Sequence, residues 1–294
     1  MKFLLLIVYI AIGFVLNKTV PQSGRLLPKL LVRYIVPLVI FLTCVKYSSS
    51  LINVTLLMFF LSLTMFLCAL LIYRGHQHRK VLRLCLSQYN IGLIGLPVGI
   101  HLFGDGAVPI ILSAFLGGML FGNSIGIFSL INSSQLRKSY LIKQMLSSPP
   151  LFSLVVALVF ITLKVPVDFN GPIGDIYGWS KTALSTLGMV VMGLSLSQYP
   201  VYWKKWRQYV SFSLSKILLS CFVALMIFGG AYAQGWIDQQ TLKYMALLPF
   251  LPSAANIITL EAHYKGTGHS ASMICANTMI ASCWLFCLSL FFVH

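Results

Sequence analysis

Two stretches of the chain set amides, glycines and prolines inside otherwise apolar runs. The first reads Gln88-Tyr89-Asn90-Ile91-Gly92-Leu93-Ile94-Gly95-Leu96-Pro97-Val98-Gly99. The second reads Leu248-Pro249-Phe250-Leu251-Pro252-Ser253-Ala254-Ala255-Asn256. Gly and Pro are poor helix residues, so each stretch is expected to interrupt a helix. An interruption frees backbone N–H and C=O groups, and within lipid these persist only where protein or a water-filled cavity satisfies them. If the two breaks cross, each half-helix aims an N-terminus at the same point, with free N–H groups and roughly half a positive charge. Pro97 and Pro252 suit the first turns of the half-helices that leave the breaks. Gly92 and Gly95 belong to the first break. Asn90 and Asn256 can bridge the crossing and touch a ligand with their amides. Ser253, Gln88 and Tyr89 adjoin these positions as candidate lining residues. This is anion-binding chemistry that does not depend on a buried Arg or Lys.

Other polar groups fall in apolar surroundings. Lys216 lies about 12 Å into its run at the helical rise. It either snorkels to the membrane surface or faces the core and attracts an anion. Arg33 poses the same choice. Asn123 and Asn277 are candidates to line a cavity around the crossing, with interhelical hydrogen bonding as the alternative. Glu261 ends its run and is the candidate carrier of a coupling proton or sodium ion, unless it pairs with Lys265 or another base. Gly118, Gly122 and Gly126 form a small-xxx-small ridge expected to let helices approach within the chain; a seam between two copies is the other use. The seven cysteines all lie in apolar runs with no CxxC or Cys/His zinc spacing, so no metal or cofactor is expected.

The elements that position these groups follow from composition. The chain has 294 residues, is 58% hydrophobic and is only 9% charged. Soluble domains carry about 25% charged residues, so a water-solvated surface cannot be built from this sequence. The expected fold is all-α and integral to the membrane, with ten transmembrane helices. They lie near 2–16, 26–45, 51–73, 80–103, 107–130, 150–164, 173–199, 208–234, 241–262 and 268–293. The first resembles a signal peptide, but no small-x-small cleavage site follows it.

The net charge of +16 does not indicate nucleic-acid binding, because the basic residues sit in short clusters between apolar runs. Fifteen of the 21 Lys and Arg fall on one side of the expected topology, including Arg74, Arg79, Lys80, Arg137, Lys138, Lys204 and Lys205. The other side holds Lys2, Lys46, Lys164, Lys181 and Lys243, with Asp105, Asp168, Asp175 and Asp238. The positive-inside rule then places a 131–149 linker in the cytoplasm and both termini outside, in the periplasm, for a multi-pass protein of the inner (plasma) membrane. The linker separates a first five-helix repeat (1–130) from a second (150–294). An odd number of spans per half makes the second repeat inverted. Each break falls in the fourth helix of its half, and breaks at corresponding positions point to a transporter's binding site.

At these residues the sequence resembles the auxin efflux carrier family of bacterial transporters, related to the bile acid/sodium symporter superfamily. Asn90, Gly92, Gly95 and Pro97, followed by Phe103-Gly104-Asp105, match the pattern of the family's first crossover. Pro252, Ala254 and Asn256, then Glu261 and Tyr264, resemble the second. Pro37, Pro149-Pro150 and Gly193-Leu194-Ser195-Leu196 are further similarities. Members often carry a proline in the seventh span; here Thr186 stands near its place, which puts exact symmetry of the two halves in doubt. The resemblance implies a scaffold of helices 1, 2, 6 and 7. It implies a moving core of helices 3–5 and 8–10 with the crossed helices inside. It also implies elevator-like transport of small organic anions, often exported.

An enzyme is not expected: the four Asp lie in loops, and Gly193-Leu194-Ser195-Leu196-Ser197 is not a GxSxG elbow. A passive channel is a weaker alternative. A sodium-coupled organic-anion symporter is the closer rival, with Glu261 as the only carboxylate near the core.

Overall fold

A computed structural model describes residues 2–20, 22–47, 51–126, 149–198, 201–263 and 269–292. These residues are overwhelmingly helical, and the one β feature among them is an isolated bridge. The helices are α1 (Lys2–Thr19), α2 (Ser23–Leu30), α3 (Val36–Lys46), α4 (Leu51–Ile72), α5 (Arg79–Ser87), α6 (Leu96–Phe103), α7 (Val108–Phe121), α8 (Pro149–Thr162), α9 (Pro172–Gln198), α10 (Trp206–Ala224), α11 (Gly230–Ala233), α12 (Gln239–Met245), α13 (Asn256–His263) and α14 (His269–Phe292). Short π-helical turns at Leu31–Ile35, Ile91–Gly95, Gly122–Gly126 and Leu225–Gly229 join or extend them. The expected 131–149 linker, with Arg137, Lys138 and Lys143, lies outside the described residues except for Pro149; so do Tyr264 and Lys265.

Among the described residues five helical segments are long and apolar enough to cross a membrane: Leu26–Lys46, Ile52–Ile72, Asp105–Gly126, Trp203–Ala233 and Ser270–Leu288. Large apolar side chains point outward, with Leu71, Leu163, Trp179 and Leu218 at 70% exposure or more. Such a surface suits lipid rather than water. The chain is an all-helical membrane protein.

The helices form two compact units, and each draws on both halves of the sequence. One comprises the described residues of Met1–Ile52 and Ser133–Gln198; the other comprises those of Asn53–Asn132 and Tyr199–His294. The first holds the helices at expected spans one, two, six and seven. The second holds those at spans three to five and eight to ten. This is the grouping that the family resemblance implies.

In the first unit α1 packs along α9 and α3 along α8. The α1–α9 contact is close because both partners offer glycine. A Cβ added at Gly13 would come within 2.0 Å of Val190 O, and one at Gly193 within 2.0 Å of Ile10 O. Pro37 opens α3 directly after the π-turn at Leu31–Ile35. A proline cannot donate its backbone hydrogen bond, and the chain absorbs that defect in the wider turn. By contrast α9 runs unbroken over 27 residues. Thr186 returns its hydroxyl to Thr182 O at 2.9 Å, as helical threonines do. The asymmetry expected from Thr186 is present in the backbone.

In the second unit α7 lies against α4 through Gly117, where an added Cβ would meet Thr55 O at 2.2 Å. The glycine ridge is used within the chain, though not as one seam. Gly118 makes ordinary contacts, while Gly122 and Gly126 face the Gln88 amide. Helix α10 sorts its side chains by face. Tyr209, Ser213, Lys216 and Ser220, at helical spacing, are each 1% exposed or less. Leu214, Leu218, Phe222 and Leu225 on the opposite side are exposed.

Candidate functional site

The two interrupted stretches meet. Helix α5 ends at Ser87, the chain extends through Gln88 and Tyr89, turns at Asn90, and resumes helix through the turn at Ile91–Gly95 into α6. In the other stretch a 3-10 turn at Leu248–Phe250 follows α12, the chain passes through Leu251–Ala255, and α13 starts at Asn256. Tyr89 and Ser253 pair antiparallel where the stretches pass. Asn90 N–H donates to Pro252 O at 2.8 Å, and Ala254 N–H donates to Gln88 O at 3.3 Å. The backbone groups freed by each break are thus satisfied in part by the other break, as a membrane interior demands of irregular backbone.

Side chains complete the crossing. Asn90, 4% exposed, caps the turn that follows it by accepting Leu93 N–H at 3.3 Å. Gly95 lies under Leu251, whose Cδ1 would be 2.8 Å from an added Cβ. Pro97 opens α6, as expected. Pro252 does not open a helix: it lies in the extended stretch four residues before α13, where it has no N–H to give and its carbonyl serves Asn90. Gly92 is half-buried beside Phe115.

Lys216 does not snorkel. It is 1% exposed, and its Nζ donates to Cys85 O at 2.8 Å, Gln88 O at 2.9 Å and Ser253 Oγ at 3.1 Å. The Tyr89 ring centroid is 4.6 Å away. Cys85 and Gln88 close the C-terminal end of α5, where the helix dipole is negative and carbonyls lack helical partners. A buried ammonium there answers both needs. Placing a lysine at mid-membrane costs roughly 2.5–3.5 kcal/mol on insertion scales, and this contact set offsets it.

The second amide of the crossing comes from α14. Asn277 Oδ1 accepts Ser253 N–H at 2.7 Å and lies 3.1 Å from Ser253 Oγ, while its Nδ2 donates to Ser213 Oγ at 2.8 Å. Asn256, expected to bridge, is exposed at the start of α13. Ser253 Oγ also lies 2.6 Å from Cys85 O. Tyr89 OH shares a 2.7 Å hydrogen bond with Ser220 Oγ. Gln88 is buried against Gly122 and Gly126, and its Nε2 has no hydrogen-bond partner among the described residues. Asn123 is half-buried in the π-turn at Gly122–Gly126.

Glu261 is buried, and its Oε2 accepts Ser270 N–H at 2.8 Å in the first turn of α14. It lies five residues along α13 from Asn256, about 7.5 Å at the helical rise. Arg33 lies in the π-turn before α3, with its guanidinium carbon 5.9 Å from the Tyr34 ring centroid.

Ser213, Ser220 and the Cys85 carbonyl belong to the crossing but are not among the residues expected from the sequence. The Ser-x-x-Lys-x-x-x-Ser stripe in an otherwise lipid-suited helix is the signal that marks the two serines on one buried polar face. A cavity of about 1170 Å³, lined by residues that include Leu102, Phe103, Cys221, Phe228, Tyr244 and Phe250, contains none of the expected site residues. Among the described residues no cluster of three His, Cys, Asp or Glu could hold a metal. No family model and no curated protein sequence matches the chain.

Proposed function

We propose that the chain is a secondary active carrier of small organic anions, chiefly carboxylates, and that the crossing of the two breaks is its substrate site. The observation that carries this reading is the Tyr89–Ser253 pairing, flanked by two backbone hydrogen bonds. Broken helices that meet in the bilayer are a device of secondary transporters. The resemblance to the auxin efflux carrier family points the same way. In this reading ten spans form two inverted five-helix repeats. The unit holding α1, α2, α3, α8 and α9 is the scaffold, and the unit holding the crossing moves as an elevator. The protein sits in the inner membrane with both termini outside, and a homodimer is compatible with it.

Charge supports an anionic substrate. The three hydrogen-bond partners of the Lys216 ammonium are neutral oxygens. The half-helices that leave the crossing add the positive ends of their dipoles. An anion entering there meets a field that no formal negative charge in that contact set cancels.

The test is uptake by proteoliposomes holding the purified protein, with mono- and dicarboxylates supplied and sodium or proton gradients imposed separately. Saturable carboxylate flux driven by the proton gradient supports an organic-anion carrier. Flux that is strictly sodium-dependent supports a sodium symporter instead, with Glu261 as the first residue to replace. Linear, non-saturating flux supports a channel.

A further inference from the structure

We infer that the crossing is a monovalent-cation site whose cation is supplied by the chain itself, as the ammonium of Lys216. Three oxygens converge on Nζ between 2.8 and 3.1 Å. Two are backbone carbonyls, which can only accept, and the third is a hydroxyl able to accept. An ammonium has three donors, so supply and demand match. The face of the Tyr89 ring covers a further side of the charge. A neutral amine could serve the two carbonyls and take the Ser253 proton on its lone pair, but the Ser253 hydroxyl donates to Cys85 O at 2.6 Å and so presents a lone pair to Nζ. Three acceptors then face the nitrogen, and the geometry calls for a positive group.

The oxygens come from places where broken helices bind ions in transporters: the C-terminal end of a half-helix and unwound backbone. Cys85 O and Gln88 O belong to the end of α5, and Ser253 Oγ to the second break. The tether on α10 keeps the charge in place, so holding the crossing together needs no dissolved cation. One consequence, which rests on the carrier reading above, is that transport proceeds without sodium.

Thermal melting of the purified full-length protein in detergent, followed by tryptophan fluorescence, tests the inference without any flux measurement. It therefore stands or fails separately from the carrier reading. In choline chloride, Lys216→Ala is expected to melt about 5–10 °C below the wild type, since it strips a buried charge from its partners. Ammonium or methylammonium chloride at the same ionic strength should recover at least half of that loss, saturably. Tetramethylammonium is too large for the site and should recover none, and the wild type should respond to none of these salts. An unchanged melting temperature in Lys216→Ala overturns the inference, as does an equal depression in every salt. If Lys216→Ala yields no folded protein, the wild type decides. Its melting temperature is expected to be the same in sodium, potassium, ammonium and choline chloride, and a saturable, sodium-specific rise overturns the inference.

Discussion

Asn277→Ala should loosen the crossing without touching either broken helix. In the wild type the Asn277 carbonyl accepts the Ser253 amide at 2.7 Å, and its amide donates to Ser213 at 2.8 Å. Ser253 is 0% exposed and Asn277 3% exposed, so water cannot replace what is lost. An orphaned buried N–H costs about 1–3 kcal/mol, and losing the bond to Ser213 adds about 1 kcal/mol. The sum of about 2–4 kcal/mol corresponds to a drop of roughly 4–8 °C in melting temperature, taking about 2 °C per kcal/mol for a chain of this size. The assay is thermal unfolding in detergent at matched protein and lipid content. Gln239→Ala, at an exposed position of α12, is the control and should move by less than about 0.5 kcal/mol. An Asn277→Ala variant that melts within 1 °C of the wild type would refute the reasoning that α14 supplies the crossing's second amide.

Further outcomes follow from other contacts. Gly193→Ala should destabilise the protein, because the new Cβ would fall 2.0 Å from a backbone oxygen that cannot swing away. Gly178→Ala, with open space around it, should be neutral or raise the melting temperature slightly. Asp238 caps α12 by accepting Thr241 N–H at 2.8 Å. Hydrogen bonds from the Thr241 side chain and amide hold its carboxyl below the usual range. A depressed folded value means the cap's contribution is present above the unfolded carboxylate's pKa of about 4 and lost as pH falls through the folded value. Hydrogen-exchange protection at Thr241 should therefore fall in acid in the wild type and stay level in Asp238→Asn, whose amide oxygen still caps. Equal acid sensitivity in both would contradict this account.

The sequence reveals most where a residue conflicts with its surroundings. Gly92, Gly95, Pro97, Pro249 and Pro252 are out of place in apolar helices, and they mark both breaks. Lys216 is out of place at its depth, and it lies at the crossing. Three features stay hidden because they are set by tertiary packing. The first break falls at Gln88–Asn90, just upstream of the glycines, because a π-turn carries Ile91–Gly95 into helix. Composition does not signal that change of hydrogen-bond register. The amide that reaches Ser253 is Asn277 rather than Asn256. Asn277 stands out as an amide in an apolar helix and is an expected candidate, but nothing in the pattern says that it, rather than Asn256, meets Ser253. Glu261 reads as an ion-coupling carboxylate by type and depth, yet its Oε2 accepts the Ser270 N–H in the first turn of α14, a tertiary contact that residue type does not announce. The interleaved units are legible only through the family resemblance, since periodicity finds spans without saying which of them pack together.

In the carrier reading, anions cross the membrane by way of the paired breaks. The most direct measurement is carboxylate counterflow in proteoliposomes, comparing the wild type with Asn90→Ala at matched insertion and orientation. Asn90 caps the half-helix that leaves the first break, so its loss uncaps that turn and removes a side-chain amide at the heart of the proposed site. The wild type should show saturable exchange, and Asn90→Ala exchange at the level of empty vesicles. Equal exchange by both proteins, or none by the wild type with any carboxylate, would contradict that reading.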